Sequence, residues 1–219
     1  MRIKRMAQLS VIIIGVAMAT SQVRASDNDY RGFQVGDIMV RMRALAVVPD
    51  VTSNVSTIHG NVDASTSFEP EADISYFFTQ NIAVEAIAAI TRHHLTDNGS
   101  TLGNVDLGRV SLLPPTVTAQ YHFLPKELVN PYLGAGINYT VFFDSSLPAG
   151  GAVTKIKYEN NFGTAIQAGA DFHVQGNWFL NVDAKHLFLS TTAKINNNAI
   201  IGKVNLDPTI VGLGIGYKF

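Results

Sequence analysis

Eight segments of the chain alternate apolar with small or polar residues at a period of two. They cover about residues 34–48, 66–78, 82–94, 115–124, 131–143, 162–174, 178–189 and 206–219. Period-two patterning over ten or so residues is that of a strand with one greasy face. The last segment is the cleanest case. Val211, Leu213, Ile215, Tyr217 and Phe219 share one face, and Gly212, Gly214, Gly216 and Lys218 the other. Connections alternate in length. Those after the first, third, fifth and seventh segments are long (49–65, 95–114, 144–161 and 190–205), whereas those after the second, fourth and sixth are short (79–81, 125–130 and 175–177). Tight turns on one side and long loops on the other are the asymmetry of an outer-membrane barrel, and a water-soluble sandwich has no reason to sort its loops so. The fold class expected is therefore all-β, an eight-stranded antiparallel transmembrane β-barrel with short periplasmic turns and four longer extracellular loops.

The faces follow strand by strand. Phe68, Pro70, Ala72, Ile74, Tyr76 and Phe78 turn to lipid, leaving Glu69, Glu71, Asp73 and Ser75 in the lumen, where the neighbouring first strand places Arg41 and Arg43. The third strand adds Glu85. Opposite charges inside a low-dielectric wall satisfy one another, so a lumen ion-pair network of Arg41, Arg43, Glu69, Glu71, Asp73 and Glu85 is predicted as scaffold rather than chemistry. Glycines of the fifth, sixth and eighth strands (Gly134, Gly136, Gly169, Gly212, Gly214, Gly216) leave room for those side chains. Eight strands enclose an interior just wide enough for side chains, which excludes a wide aqueous porin and leaves a narrow pore, a small cavity or a closed plug. Tyr76, Phe77, Phe78, Tyr121, Phe123, Trp178, Phe179, Tyr217 and Phe219 are expected to form the periplasmic aromatic girdle. Pro114 and Pro115 remove ladder donors at the start of a strand. They mark either a plain strand start or a gap in the wall.

The chain is 47% hydrophobic and 15% charged, yet after the amino terminus it holds no apolar run long enough for a spanning helix. Lipid then admits only a closed barrel. Residues 1–25 read as a cleaved signal peptide, with Arg2, Lys4 and Arg5 ahead of an apolar stretch and Val23-Arg24-Ala25 as the cleavage site, so residues 26–219 form the barrel domain. Removing those basic residues leaves the mature chain more acidic than the formal charge of −1 for the whole sequence, which gives no footing for nucleic acid. There is no cysteine. No cofactor or metal is expected: His93 and His94 point to opposite faces of a strand and cannot share an ion. No Gly-x-Ser-x-Gly motif accompanies His93, His94, His122 or His173, so an enzyme is not expected.

The runs Leu113-Pro114-Pro115-Thr116, Asn81-Ile82-Ala83-Val84-Glu85, Asn130-Pro131-Tyr132-Leu133-Gly134-Ala135-Gly136-Ile137-Asn138-Tyr139-Thr140, Leu206-Asp207-Pro208 and Gly216-Tyr217-Lys218-Phe219 strongly resemble the OmpW family of outer-membrane proteins. The resemblance covers essentially the whole mature chain. It implies an outer-membrane channel of a Gram-negative cell for passive uptake of small hydrophobic molecules, with lateral release into the membrane beside a loop-to-strand proline, a position matched by Pro114 and Pro115. It also implies a constriction formed by apolar residues of the third and seventh strands. Ile87 fits the first position, but the second holds Lys185, whose ammonium would make the constriction amphipathic or be neutralised by Asp183 or Asp171. Tyr217 and Phe219 resemble the C-terminal signature read by the barrel assembly machinery. The partners implied are outer-membrane lipid, small hydrophobic solutes and that machinery. The alternative is a closed structural or receptor barrel whose loops meet phage, bacteriocin or a host surface.

Overall fold

The computed structural model describes residues 30–55, 61–100, 103–147, 154–196 and 200–219. The predicted signal peptide lies outside the described residues. The strands are β1 (Ile38–Val48), β2 (Thr52–Val55), β3 (Asn61–Ala64), β4 (Ser67–Phe77), β5 (Ile82–Ala89), β6 (Thr91–Ser100), β7 (Gly103–Leu113), β8 (Thr116–His122), β9 (Val129–Ser146), β10 (Ile156–Tyr158), β11 (Asn161–Gln175), β12 (Trp178–Phe188), β13 (Ser190–Ile195), β14 (Ile200–Asn205) and β15 (Thr209–Lys218).

Eight of them, β1, β4, β5, β8, β9, β11, β12 and β15, pair antiparallel in a ring that closes through β9 and β11. First and last strands meet in unbroken register from Met39 opposite Lys218 to Val48 opposite Thr209. The Phe219 amide donates to the Ile38 carbonyl at 2.8 Å, so the chain end itself completes the wall. The chain thus forms a closed eight-stranded barrel, with Phe68, Ile74, Leu133, Ile137, Leu180 and Leu213 turned outward. On β12 the apolar band runs from Trp178 to Phe188, which at the usual rise and tilt is about 25 Å tall.

The long connections are more ordered than their polarity suggests. Strands β6 and β7 form a hairpin that takes in the end of the expected third segment, from Thr91, and most of 95–114; β13 and β14 form another within 190–205, and β2, β3 and β10 occupy parts of the other two. There the outward positions are Arg92, His94, Arg109, Lys157 and Lys203, which face water, so the lipid pattern ends while the strands continue. Inward positions stay buried and mostly apolar, though Thr91, His93 and Thr191 are among them.

Two aromatics correct the expected girdle. Phe77 and Phe179 are buried in the lumen rather than in the lipid belt, because they fall on the inward parity of β4 and β12. They pack with Phe33, Met39 and Ala83 into a periplasmic cap. The cap is completed by the segment before β1. Gly32 adopts φ +69°, and a Cβ there would lie 2.5 Å from the Pro125 carbonyl oxygen, so only glycine lets the segment turn in beneath the barrel. Phe33 then stacks on Phe77, with ring centroids 4.4 Å apart. Lys218 fixes the segment through an ion pair to Asp37 at 3.2 Å and a hydrogen bond to the Gly32 carbonyl.

Candidate functional site

Above the cap the lumen holds a plug of buried charge. The Arg41 guanidinium donates to both oxygens of Asp171, from Nε at 3.0 Å and Nη2 at 2.8 Å. Its Nη1 reaches Asp73 Oδ1 at 3.0 Å and Ser75 Oγ at 2.8 Å. Arg43, one inward position higher on β1, donates to Asn181, Glu71 and Glu85 at 2.7, 2.7 and 2.9 Å. Lys185 Nζ lies 2.8 Å from Glu71 Oε1 and 3.1 Å from Asp183 Oδ1. Three cations thus face five carboxyl groups. The surplus oxygens are met by neutral donors: Glu85 Oε2 accepts from Gln120 at 2.9 Å and Gln167 at 2.8 Å, and Asp183 Oδ2 from the Tyr132 hydroxyl at 2.8 Å. Buried charge is tolerated when it is paired and its remaining lone pairs are bonded; the two carboxylate oxygens without a hydrogen bond, Asp73 Oδ2 and Asp183 Oδ1, lie 2.9 Å from Arg43 and 3.1 Å from Lys185. Strand β15 supplies only glycines to this level. A Cβ on Gly214 would meet Arg43 Cα at 2.8 Å, and one on Gly169 would meet the Tyr132 hydroxyl at 2.4 Å.

The structure therefore brings Arg41, Arg43, Glu71, Asp73 and Glu85 into one network, and joins to it Asp171, Asp183, Lys185, Tyr132 and Asn181. It leaves Glu69 out. That residue has the inward parity of β4 but sits one step above Glu71, half-buried, and makes no ion pair among the described residues. Parity fixes which way a side chain points, not how high it stands. Tyr132 was legible in the same alternation, as the inward residue two before Gly134.

Over the plug lies a layer of hydrocarbon. Leu45, Val47, Ala89, Ala165, Leu187 and Ile210 form one buried cluster. Leu45, Leu187 and Ala165 stand one inward position above Arg43, Lys185 and Gln167, so on β1, β12 and β11 the change from ionic or polar to apolar happens within a single step. Above this cluster opens a cavity of about 70 Å³, walled by Leu95, Val110, Phe142, Leu189, Val204 and further apolar groups. Few polar atoms face it, so water has few partners there. Neither Ile87 nor Lys185 lines it. Ile87 is buried below it, and the Lys185 ammonium belongs to the plug beneath the hydrocarbon layer.

Pro114 does line the cavity. The β5–β8 ladder ends at Ile87 opposite Thr116, and the β6–β7 ladder begins at Thr91 opposite Leu112. Between them Ala88, Ala89 and Ile90 face Leu113, Pro114 and Pro115 with no ladder pair, as proline nitrogens require. The other edge of the same segment stays attached: Tyr139 N donates to the Pro115 carbonyl at 3.0 Å. The wall is interrupted on one side only. Tyr217 and Phe219 end β15 with ring centroids 4.8 Å apart, Phe219 exposed and Tyr217 half-buried beside Trp178.

The histidines are held by neighbours. His93 Nδ1 lies 2.8 Å from the Ser65 carbonyl, and His122 bonds Asn130 at 2.9 Å. His173 Nε2 bonds the Gly176 carbonyl at 2.8 Å.

The OmpW family model matches residues 34–219, nearly the whole described barrel. The chain belongs to the OmpW family. Outer membrane protein W of Vibrio cholerae is 33% identical over 195 residues, covering 85% of this chain and 90% of the relative. The dibenzothiophene metabolism operon protein PahQ of Pseudomonas aeruginosa is 28% identical over 73% of this chain and 75% of its own length. Among solved structures, the outer membrane protein OprG of Pseudomonas aeruginosa superposes with a TM-score of 0.81 at 26% identity, covering 87% of this chain and 99% of that one. As an OmpW-family protein the chain is an outer-membrane barrel, with lipid as its surrounding partner. Its lipid-facing band and closed wall are the structural counterpart of that location.

Proposed function

We propose that this barrel is a passive route for small hydrophobic molecules, which enter the apolar cavity from outside and leave sideways into the membrane past Pro114 and Pro115. The observation that carries the reading is the sequence of layers in the lumen: an apolar cavity standing on hydrocarbon, and the hydrocarbon standing on a sealed ionic plug. A greasy solute gains by leaving water for the cavity, because burial of apolar surface is favourable by about 25 cal/mol per Å². The plug opposes its further descent, since displacing a paired charge strands its partner. The interrupted ladder beside Pro114 is the neighbouring weak point in the wall and faces hydrocarbon outside. The name of the dibenzothiophene operon relative fits an apolar cargo. The cavity is narrow, so passage requires its leucine and phenylalanine side chains to change rotamer, a motion of ordinary speed for side chains that line open space.

Reconstituted vesicles test this. Uptake of an uncharged fluorescent apolar probe is expected in the presence of the protein, and replacement of both Pro114 and Pro115 by alanine is expected to slow it several-fold by letting the ladder close. Absence of protein-dependent uptake overturns the transport reading, and equal rates in both proteins remove the side exit. Tyr217 and Phe219 we assign to recognition by the barrel assembly machinery, in keeping with the outward-facing aromatic pair they form at the periplasmic edge of β15.

A further inference from the structure

The extracellular half of the wall is divided. Up to Asn161 opposite Thr140, β9 and β11 pair without a break. Above that point, among the described residues, β9 pairs only with β7, ending at Arg109 opposite Ser146, and β10 pairs only with β13. The upper barrel thus consists of two separate sheets, and a seam runs between β9 and β10. The last bond across it is made by a side chain, from Phe142 N to Asn160 Oδ1 at 3.0 Å.

A cleft of about 370 Å³ occupies this seam. Four of its lining residues, Val110, Phe142, Ile156 and Tyr158, also line the apolar cavity, so one layer of side chains parts the two spaces. The partition is chiefly two rings, Phe142 and Tyr158, whose centroids lie 5.6 Å apart. Burial raises the Tyr158 phenol well above its ordinary value, so the ring stays uncharged and able to line a path for hydrocarbon. The outer rim is polar, with Ser145, Lys157, Glu159 and Asn160, and the Glu159 carboxylate is taken up by Lys194, so the rim keeps a net positive charge.

Charge selects the occupant. Lys157 stands directly opposite Lys194 across the β10–β13 pair, an unfavourable placement for like charges. Glu159 pairs with Lys194, which holds its carboxyl below the usual range. Lys157 has no ion pair among the described residues and turns to the cleft.

We infer that the seam is an entry port for single-chain amphiphiles with an anionic head, a long-chain carboxylate being the simplest. The head rests at Lys157 and the tail passes between Phe142 and Tyr158 into the cavity. This rests on the uptake reading above and extends its substrates from uncharged apolar molecules to fatty anions. It is a different opening from the interruption at Pro114, which lies on the opposite edge of the β7–β9 sheet and faces lipid.

The test uses the full chain in lipid nanodiscs with two photoreactive probes of equal chain length, a carboxylate and an uncharged hydrocarbon, each carrying a diazirine on its tail, and maps labelled peptides by mass spectrometry. The carboxylate is expected to label the segments around Phe142 and Tyr158 as well as the cavity. Lys157→Glu is expected to lower that labelling about fivefold, the scale of one exposed ion pair, with Lys157→Gln intermediate and the hydrocarbon's labelling unchanged in both. Equal carboxylate labelling of wild type and Lys157→Glu, or cavity labelling without any at the seam, overturns the port while leaving uptake standing. Failure of both probes to label the cavity overturns the uptake reading and the port with it. Lys157 is exposed, and folding of each variant is checked by its heat-shifted migration on gels.

Discussion

At Gly136 no side chain can be accommodated. A Cβ would lie 2.0 Å from the Val117 carbonyl oxygen and 2.7 Å from Thr118 Cα, and both obstacles are backbone of the paired strand β8. Gly136→Ala must therefore spread the β8–β9 pair, and a loss of about 1–3 kcal/mol or more is expected on the scale of overpacked interiors. Trp178 is the only tryptophan and sits in the lipid-facing belt, so the urea midpoint of its fluorescence in vesicles reads the loss directly. Much at this scale is legible in the sequence, because strict alternation assigns each of Arg41, Glu71, Asp73 and Glu85 to the lumen before any partner is known. Height is not legible. Glu69 shares their parity and stands above the plug, and whether Asp171 or Asp183 meets an arginine depends on the stagger between strands, which alternation does not encode.

At the scale of elements, the segment from Tyr30 to Asp37 acts as a strap. It makes no strand, although alternation assigns 34–37 to the first segment; β1 begins only at Ile38, after the two glycines with positive φ, Gly32 and Gly36, have turned the chain. Phe33 is fully buried against Phe77, Phe179 and His122. Truncation by Phe33→Ala is expected to cost about 3–5 kcal/mol, the range for a buried aromatic, and to release the strap while leaving the eight-stranded wall intact. Gel migration after heating reports the stability loss as a lower conversion temperature, and protease added from the periplasmic side reports the release as faster cleavage before β1. An unchanged conversion temperature contradicts the packing described. The extracellular strands were misread for the converse reason. Alternation continues through β6, β7, β13 and β14, but the outward set changes from apolar to charged, and a reading tuned to lipid takes the end of the grease for the end of the strand.

For the molecule as a whole, the stacked interior makes a prediction about ions. Among the described residues, eight buried charged side chains bonded across the lumen and an aromatic cap below them stand in the way of water and ions along the axis. Planar-bilayer recordings of the wild-type chain are expected to show no steady stepwise current, and reproducible openings would contradict a sealed plug. The fold class and the closed ring were fully legible from eight alternating segments and their turn lengths, since closure is the sole solution lipid allows. The division of the upper wall was not, because it depends on which long strand finds a partner outside the membrane. The plug has one more consequence, for how the chain reaches its final form. Arg41 and Arg43 on β1 find their partners on β4, β5, β11 and β12, and pack over the glycines of β15, so the bonds exist only once the sheet has curled into a ring. A sheet left open would turn those charges toward hydrocarbon at a cost of several kcal/mol each. Buried charge thus serves as proofreading: it rejects from the bilayer any chain whose ends have not met.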